Sequence, residues 1–452
     1  RKAGQTPETE ITAVLGRLSG SHGPTEEQRY CDRLGWRAAT AEEAAAHVAT
    51  QGRDGLWGSL DESARILIAL GLHLAGTPTT TGQQADATAP ESARPLPPPP
   101  TGGAMAAARD RARTALLAQR NQEGLWGAFG RSDPGITALC AWALLTIRNE
   151  HAEAYEAVHT AAKWLRSLQK EDGSIHSGML PNYMTSVAVG FLARLGRPED
   201  AVVLARARAF LTGLQSDEGE GYETSDTYYG GIGYGNDLRP DLSNLQLALE
   251  ALEASGLAAS DPAWSRALVF LQRCQNRSES NSHTVKAAGA LVVSGNDGGG
   301  VYMPGSSPAG TVTLKDGTVV ARSYGSMTYA LLRGYLFAGL PHDDPRVVAA
   351  MDWIKSHWSL RENPGFDTAV DPAAGAQGYY YYLLTVARAL RQWGTAEITT
   401  TDGVVHIWRH ELRAVILEMQ RPGGDWVNER SPRWWEGNPA LATAYALLAL
   451  DA

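Results

Sequence analysis

The residues of this chain best suited to acid chemistry lie in two glycine-rich stretches. "SDTYYGGIGYGNDLRPDLSNLQ" carries Asp226, Asp237 and Asp241, and "GNDGGGVY" carries Asp297. A carboxylic acid donates a proton near neutral pH only when burial or a partner keeps it neutral. Asp241, at the end of a long loop leading into an apolar helix, is the leading candidate acid, with Asp226 and Asp297 behind it. The same position also reads as an N-cap of the helix starting near Leu242, or as an ion-pair partner of Arg239. Tyrosine is abundant around these acids. Tyr228, Tyr229, Tyr234, Tyr324, Tyr329, Tyr379 and Tyr380, with Trp434 and Trp435, are the candidate walls of an apolar ligand cavity. Aromatic faces attract a desolvated cation by about 0.5–2 kcal/mol per close ring. The alternative for each ring is packing between helices.

Other chemistries find less support. "HIWRH" puts His406 and His410 four residues apart, as two imidazole ligands on one helix face would be, but the helix is amphipathic and offers no third ligand. No metal or other cofactor is expected. "GGIGYG" follows no strand, belongs to no βαβ unit and lacks a P-loop lysine, so it reads as a turn. No nucleophile elbow is present, and Cys31, Cys140 and Cys274 show no CxxC spacing and read as small buried apolar side chains.

What must position such residues is a set of helices. In "QGYYYYLL", Tyr379 to Tyr382 point about 100° apart in turn, so a helix here needs protein or a cavity on more than one side. From residue 104 to 452 the chain repeats a helix, a glycine-rich loop and a second, more apolar helix. First helices such as "HTAAKWLRSLQK" and "SRALVFLQRCQN" keep a polar stripe. Their partners, including "GITALCAWALLTI", "YGSMTYALLRGYLFAG" and "NPALATAYALLAL", are apolar almost all round, which marks helices buried on both sides. With an opening helix near Arg109 to Arg120 these make six hairpins, and six buried inner members with six amphipathic outer ones fit an all-α, (α/α)6 toroid. Asp133-Pro134 and Asn438-Pro439 supply N-caps with proline at the first helical position, and Gly196, Gly256, Gly339 and Gly394 fall where inner helices should stop.

Residues 77–103, "TPTTTGQQADATAPESARPLPPPPTGG", read as an extended, mobile linker rich in Pro and Thr. It separates the toroid from residues 1–76, an N-terminal helical extension with one further helix, loop, helix unit. With 452 residues, 43% hydrophobic, 20% charged and a net charge of −9, the chain reads as a globular protein. That charge argues against nucleic acid or anionic membrane as a partner. No apolar run approaches the roughly 20 residues of a transmembrane helix.

The loops hold a second repeat. "QGRDGLW" (51–57) and "QRPGGDW" (420–426) fit Gln-x3-Gly-x-Trp, "QKEDGSI" keeps Gln169 and Gly173, and "RNQEGLW" keeps Gly124 and Trp126. A Gln amide at a helix end can bond backbone carbonyls, a Gly allows the tight turn and a Trp fills the gap between hairpins, so the motif is a structural clasp. On a helical-hairpin array these clasps resemble the QW repeats of squalene–hopene and oxidosqualene cyclases, and the array is similar to that of protein prenyltransferase β subunits. "YYGGIGYG", "RPDLSN", "RSYGSMTYALL", "DDPRVVAAMDWI", "ENPGF" and "GYYYYLL" look like the bacterial secreted proteins described as prenyltransferase/squalene oxidase repeat-containing, over about residues 105–452.

That resemblance implies the toroid and a small apolar, isoprenoid partner. It also implies an extracytoplasmic or secreted location, the cytoplasm being the alternative. Activity does not carry over residue by residue. The Asp-x-Asp-Asp acid of hopene-type cyclases has no counterpart, "PHDD" (341–344) being the nearest string, and the stretches matching prenyltransferase zinc ligands lack Cys and His. Three functions remain: an isoprenoid-binding protein acting as a cyclase or isomerase if catalytic, a non-catalytic binding or scaffold protein, and a carbohydrate-active enzyme with paired carboxylates across a cleft.

Overall fold

The computed structural model describes residues 94–147, 151–235, 239–287 and 290–452. The expected unit in residues 1–76, with its clasp at 51–57 and Cys31, lies outside them. Twelve α-helices are present among the described residues: α1 (Gly102–Ala118), α2 (Pro134–Thr146), α3 (Ala152–Ser167), α4 (Pro181–Leu195), α5 (Ala201–Thr212), α6 (Leu242–Ala254), α7 (Pro262–Arg273), α8 (Gly325–Phe337), α9 (Pro345–Ser356), α10 (Tyr379–Trp393), α11 (Trp408–Glu418) and α12 (Pro439–Leu450).

The even-numbered helices are the apolar ones. They pack in the order α2, α4, α6, α8, α10, α12, and α12 packs in turn against α2, so the six form a cycle. The odd-numbered helices lie against them; α3, for example, buries Ala157, Val158, Ala161 and Leu165 and leaves its charged face in water. The principal core fills the space between the two sets, with Trp126, Trp353, Trp408 and Trp426 fully buried in it. Helix starts follow the expected chemistry. Asp133 accepts the Ile136 N–H ahead of α2 and Asn438 accepts the Ala440 and Leu441 N–H groups ahead of α12, each with Pro at the first turn. Gly196 and Gly394 end α4 and α10 at φ +68° and +81°, conformations that cost other residues energy.

Four clasps join one outer helix to the next, all in the same way. The side-chain amide of Gln169 bonds the carbonyls of Gly173 and Val203, that of Gln215 those of Gly230 and Ala263, that of Gln275 those of Gly298 and Arg346, and that of Gln420 those of Gly424 and Ala108. One hydrogen closes the loop and the other ties it to the following outer helix. The glycine is obligatory, because a Cβ on Gly230 would stand 1.9 Å from the Arg266 carbonyl oxygen and one on Gly298 2.4 Å from that of Ala349. The tryptophans of the motif bond elsewhere, Nε1 of Trp126 and Trp426 donating to the Leu116 and Ile416 carbonyls, both at 2.7 Å. Gln275 is fully buried and its Oε1 also accepts the Tyr335 hydroxyl at 2.8 Å. Gln275→Ala is therefore expected to destabilise by about 2–3 kcal/mol, since three buried groups lose their partner, and a urea titration would read the loss.

Three expectations need correction. The chain is not purely helical: β1 (Gly127–Ala128) pairs with β2 (Arg131–Ser132), β7 (Ile398–Thr399) with β8 (Val405–His406), and β3 (Val285–Ala287), β4 (Ala290–Val293), β6 (Val319–Ala321) and β5 (Thr311–Thr313) form a four-stranded sheet in that order. These ladders occupy the loops between helices, where β-branched residues such as "TVTL" and "TVV" pair after tight turns. The linker ends earlier than expected, with Thr101 capping α1 at Gly102. Its last residues are also held, the Pro95 carbonyl by Arg361 at 2.6 Å and Arg94 by Glu418 at 2.7 Å. Finally, His406 lies in β8 rather than on the helix of His410, and pairs with Glu411 at 2.9 Å.

Candidate functional site

The inner helices α6, α8 and α10 run the same way, because residues at matching helical positions meet between them. Ser243 and Tyr381, second and third in α6 and α10, approach to 3.2 Å. Glu250, Arg333 and Arg388, ninth, ninth and tenth in α6, α8 and α10, meet two turns deeper. Between them lies a cavity walled by all six helices: Leu139 and Trp142 of α2, Tyr183, Val187 and Gly190 of α4, Gln246, Leu247 and Glu250 of α6, Arg333 of α8, Tyr381, Leu384 and Arg388 of α10, and Tyr445 of α12. Its free volume is about 30 Å³, room for about two waters. Trp142 fills much of one side, packed on Gly190 so closely that a Cβ there would meet the ring at 2.5 Å.

The tyrosines of the cavity are neutral hydroxyl donors. Tyr183 and Tyr445 share a hydrogen bond of 3.3 Å. Burial pushes the Tyr381 hydroxyl up to about 12 against the bond to Ser243, and Tyr234 likewise, with Asp241 adding to the burial effect there. A phenol so shifted stays protonated at every physiological pH.

None of the expected wall residues lines this cavity. Tyr379 and Tyr382 turn outward and donate to the Leu360 and Ser359 carbonyls, each at 2.6 Å. Tyr329 stacks edge-on against Tyr382 in the interlayer core, at 5.9 Å. Tyr380 packs on Tyr379 at 5.7 Å and faces the Glu436 side. Tyr229 donates to Glu218 at 2.6 Å in the outer loops, and Tyr228 is half-buried beside it. Tyr324, buried at the N-cap of α8, and Tyr234, partly buried in the loop before α6, come closest, both near Tyr381. The tyrosine run thus divides as a helix in a double layer must: two rings outward, Tyr381 inward, and Tyr380 sideways.

The candidate acids are placed as structural groups. Asp241 is 1% exposed and caps α6, its two oxygens accepting the Asn244 N–H at 2.9 Å and the Asn244 side-chain amide at 2.7 Å. Asp226 is exposed and accepts the Glu223 N–H, and Asp297 is exposed and braces Gly299 N–H and the Ser323 hydroxyl. None of the three lines the cavity.

Two acids that went unnamed in the sequence, Glu250 partly buried and Glu436 buried, do more. Glu250 bonds Arg333 and Arg388, each at 3.0 Å, and Gln246 at 3.2 Å. Burial alone would raise its pKa, but the two guanidinium groups outweigh it and hold the carboxyl at about 2. Among the described residues it is the one carboxylate lining the cavity, and it is ionised. Glu436, 1% exposed, reaches from the loop before α12 to the first turn of α10. Gly378 offers that helix no side-chain cap, and Glu436 supplies one by accepting the Tyr381 N–H at 2.7 Å, while Asn428 donates to its other oxygen at 2.7 Å. Burial raises it to about 7 against these bonds. The signal for Glu250, Arg333 and Arg388 was present in "LALEALEA", "ALLRGYLF" and "TVARALRQ": a charge set among apolar residues, late in each of three largely apolar inner helices.

Trp434 and Trp435 stand on a rim rather than in the cavity. Together with Phe129 and Leu180 they are the only non-glycine residues among those described with positive φ, at +55°, +68°, +53° and +45°. All four expose large apolar side chains, between 37% and 65%. Their loops lead into α12, α2 and α4, three consecutive members of the cycle, and Phe129 meets Trp435 edge-on at 5.3 Å. Left-handed backbone costs bulky residues about 1–3 kcal/mol and persists where the surroundings enforce it.

The chain matches no protein-family model and no curated protein. Among solved structures it is similar to the type II terpene cyclase MstE from Scytonema in its apo form, at 18% identity and TM-score 0.46 over 78% of this chain and 98% of that one. A variant of the same enzyme in complex with its substrate geranylgeranyl dihydroxybenzoate gives 17% identity and TM-score 0.45 over 77% and 97%. A protein from Actinoplanes gives 16% and 0.43 over 76% and 98%.

Proposed function

We propose that the described helices form a closed α/α toroid that binds a small, largely apolar molecule in its axial cavity, without acid-initiated cyclisation. The observation that carries this reading is the cavity itself, walled by every inner helix and lined by apolar side chains, tyrosine hydroxyls and two guanidinium groups. The isoprenoid class of the ligand follows from the sequence resemblance. A protonating acid is what the described lining lacks: Glu250 is held ionised, and Asp241 caps a helix outside the lining. A carbohydrate-active centre would need two facing carboxylates, and the described lining has one. The exposed rim of Trp434, Trp435, Phe129 and Leu180 gives an apolar molecule a first contact at the tyrosine end.

A second reading, a non-catalytic scaffold, is favoured by the small free volume, because any ligand larger than a few atoms must displace Trp142 or Tyr381. The two readings part in one experiment: native mass spectrometry of the purified chain after exposure to polyprenyl alcohols of increasing length. Binding that weakens about tenfold in Tyr381→Ala and extends to longer chains in Trp142→Ala supports the cavity reading. A chain that retains nothing, in wild type and in Trp142→Ala alike, leaves the scaffold.

A further inference from the structure

At the deep end of the cavity the charges do not balance. Arg333 and Arg388 share a single carboxylate, Glu250, each through Nη1 to the same oxygen at 3.0 Å. Two cations against one anion leave a surplus of one positive charge in a water-poor space. Arg333 is 5% exposed; its Nε bonds Gln392 at 3.2 Å and its guanidinium lies 5.1 Å from the Phe337 ring. Arg388 lines the cavity and lies over Trp142 at 4.6 Å, and among the described residues its one side-chain hydrogen bond runs from Nη1 to Glu250.

We propose that this cluster is a receptor for an organic carboxylate, which makes the ligand of the cavity a monoanionic acid with an apolar remainder lying against Tyr183, Tyr381 and Tyr445. Two features select that chemistry. The surplus of one charge is neutralised by a monoanion and not by a dianion. A planar guanidinium edge pairs with a planar carboxylate through two parallel hydrogen bonds. Gln246 donates to the same Glu250 oxygen as the two arginines, at 3.2 Å. The proposal rests on the cavity being a binding site but not on the ligand being an isoprenoid.

Calorimetric titration of the full chain with octanoate, 1-octanol and octyl phosphate tests it. Octanoate is expected to bind at least tenfold tighter than octanol, with octyl phosphate weaker than octanoate. Arg388→Gln should remove the preference for octanoate over octanol, while Arg388→Lys keeps the charge, loses the fork and recovers only part of it. Glu250→Gln, with a surplus of two charges, should gain several-fold in octanoate affinity, and octanoate should raise its melting temperature more than that of wild type. Equal binding of octanoate and octanol overturns the anion receptor and spares the apolar cavity. Tighter binding of octyl phosphate overturns the carboxylate assignment. No binding of any of the three overturns both.

Discussion

Glu250→Ala is expected to cost about 3–5 kcal/mol of folding stability, the usual consequence of leaving buried charge without its counter-charge. Arg333 and Arg388 come from different inner helices, α8 and α10, and each directs a guanidinium at the Glu250 carboxylate of α6. Without it, two cations face one another among aromatic rings and apolar side chains. The comparison that isolates the charge effect is the triple exchange Glu250→Met, Arg333→Met, Arg388→Met, which removes all three and should be far less destabilised than the single substitution. Denaturant midpoints, with slopes checked for constancy, give both values. A single substitution within about 1 kcal/mol of wild type would show that water reaches the cluster and screens it.

The second large effect depends on pH. Glu436 has a folded-state pKa of about 7 against 4.5 unfolded, raised first by burial. The fold therefore prefers the neutral acid: its contribution is fully present below about pH 4.5 and is lost as pH rises through about 7. A gap of about 2.5 units corresponds to about 3 kcal/mol. Wild-type stability, compared with Glu436→Gln across pH 4.5 to 8, should fall by that amount while the variant, which still accepts the Tyr381 N–H, stays level. Parallel curves for the two proteins would mean that the carboxylate is ionised throughout, held by the N–H groups at the start of α10.

Much of the architecture was legible in the sequence because it is written in short-range chemistry. Asp133-Pro134 and Asn438-Pro439 start helices through contacts two or three residues long, and Gln420 with Gly424 closes its loop within five residues. The other clasps show where such legibility ends. Gln215 and Gln275 make the same bonds as Gln169, but their glycines, Gly230 and Gly298, lie 15 and 23 residues away, so no fixed spacing reveals them. The cavity was harder still. Whether Tyr380 or Tyr381 faces the axis turns on 100° of helix phase, which α10's packing against two neighbours and an outer layer decides. Asp241 looked like chemistry because it is an acid before an apolar helix, and the same pattern makes an N-cap. Glu436 looked like a loop residue, and its role as the cap of a helix some 55 residues earlier in the chain is invisible until the chain folds.

The cyclic packing order of the inner helices bears on how the molecule comes apart. In an open solenoid the terminal repeats have one neighbour each and fray first, so stability is a sum over units and partial unfolding is cheap. Here α12 touches α2, so every inner helix has two flanks, and Gln420 links α11 to α1 as the other clasps link their outer helices. Losing one hairpin opens two interfaces at once. The cycle of described helices therefore has no terminal repeat at which to begin opening, and it is expected to melt as one cooperative unit.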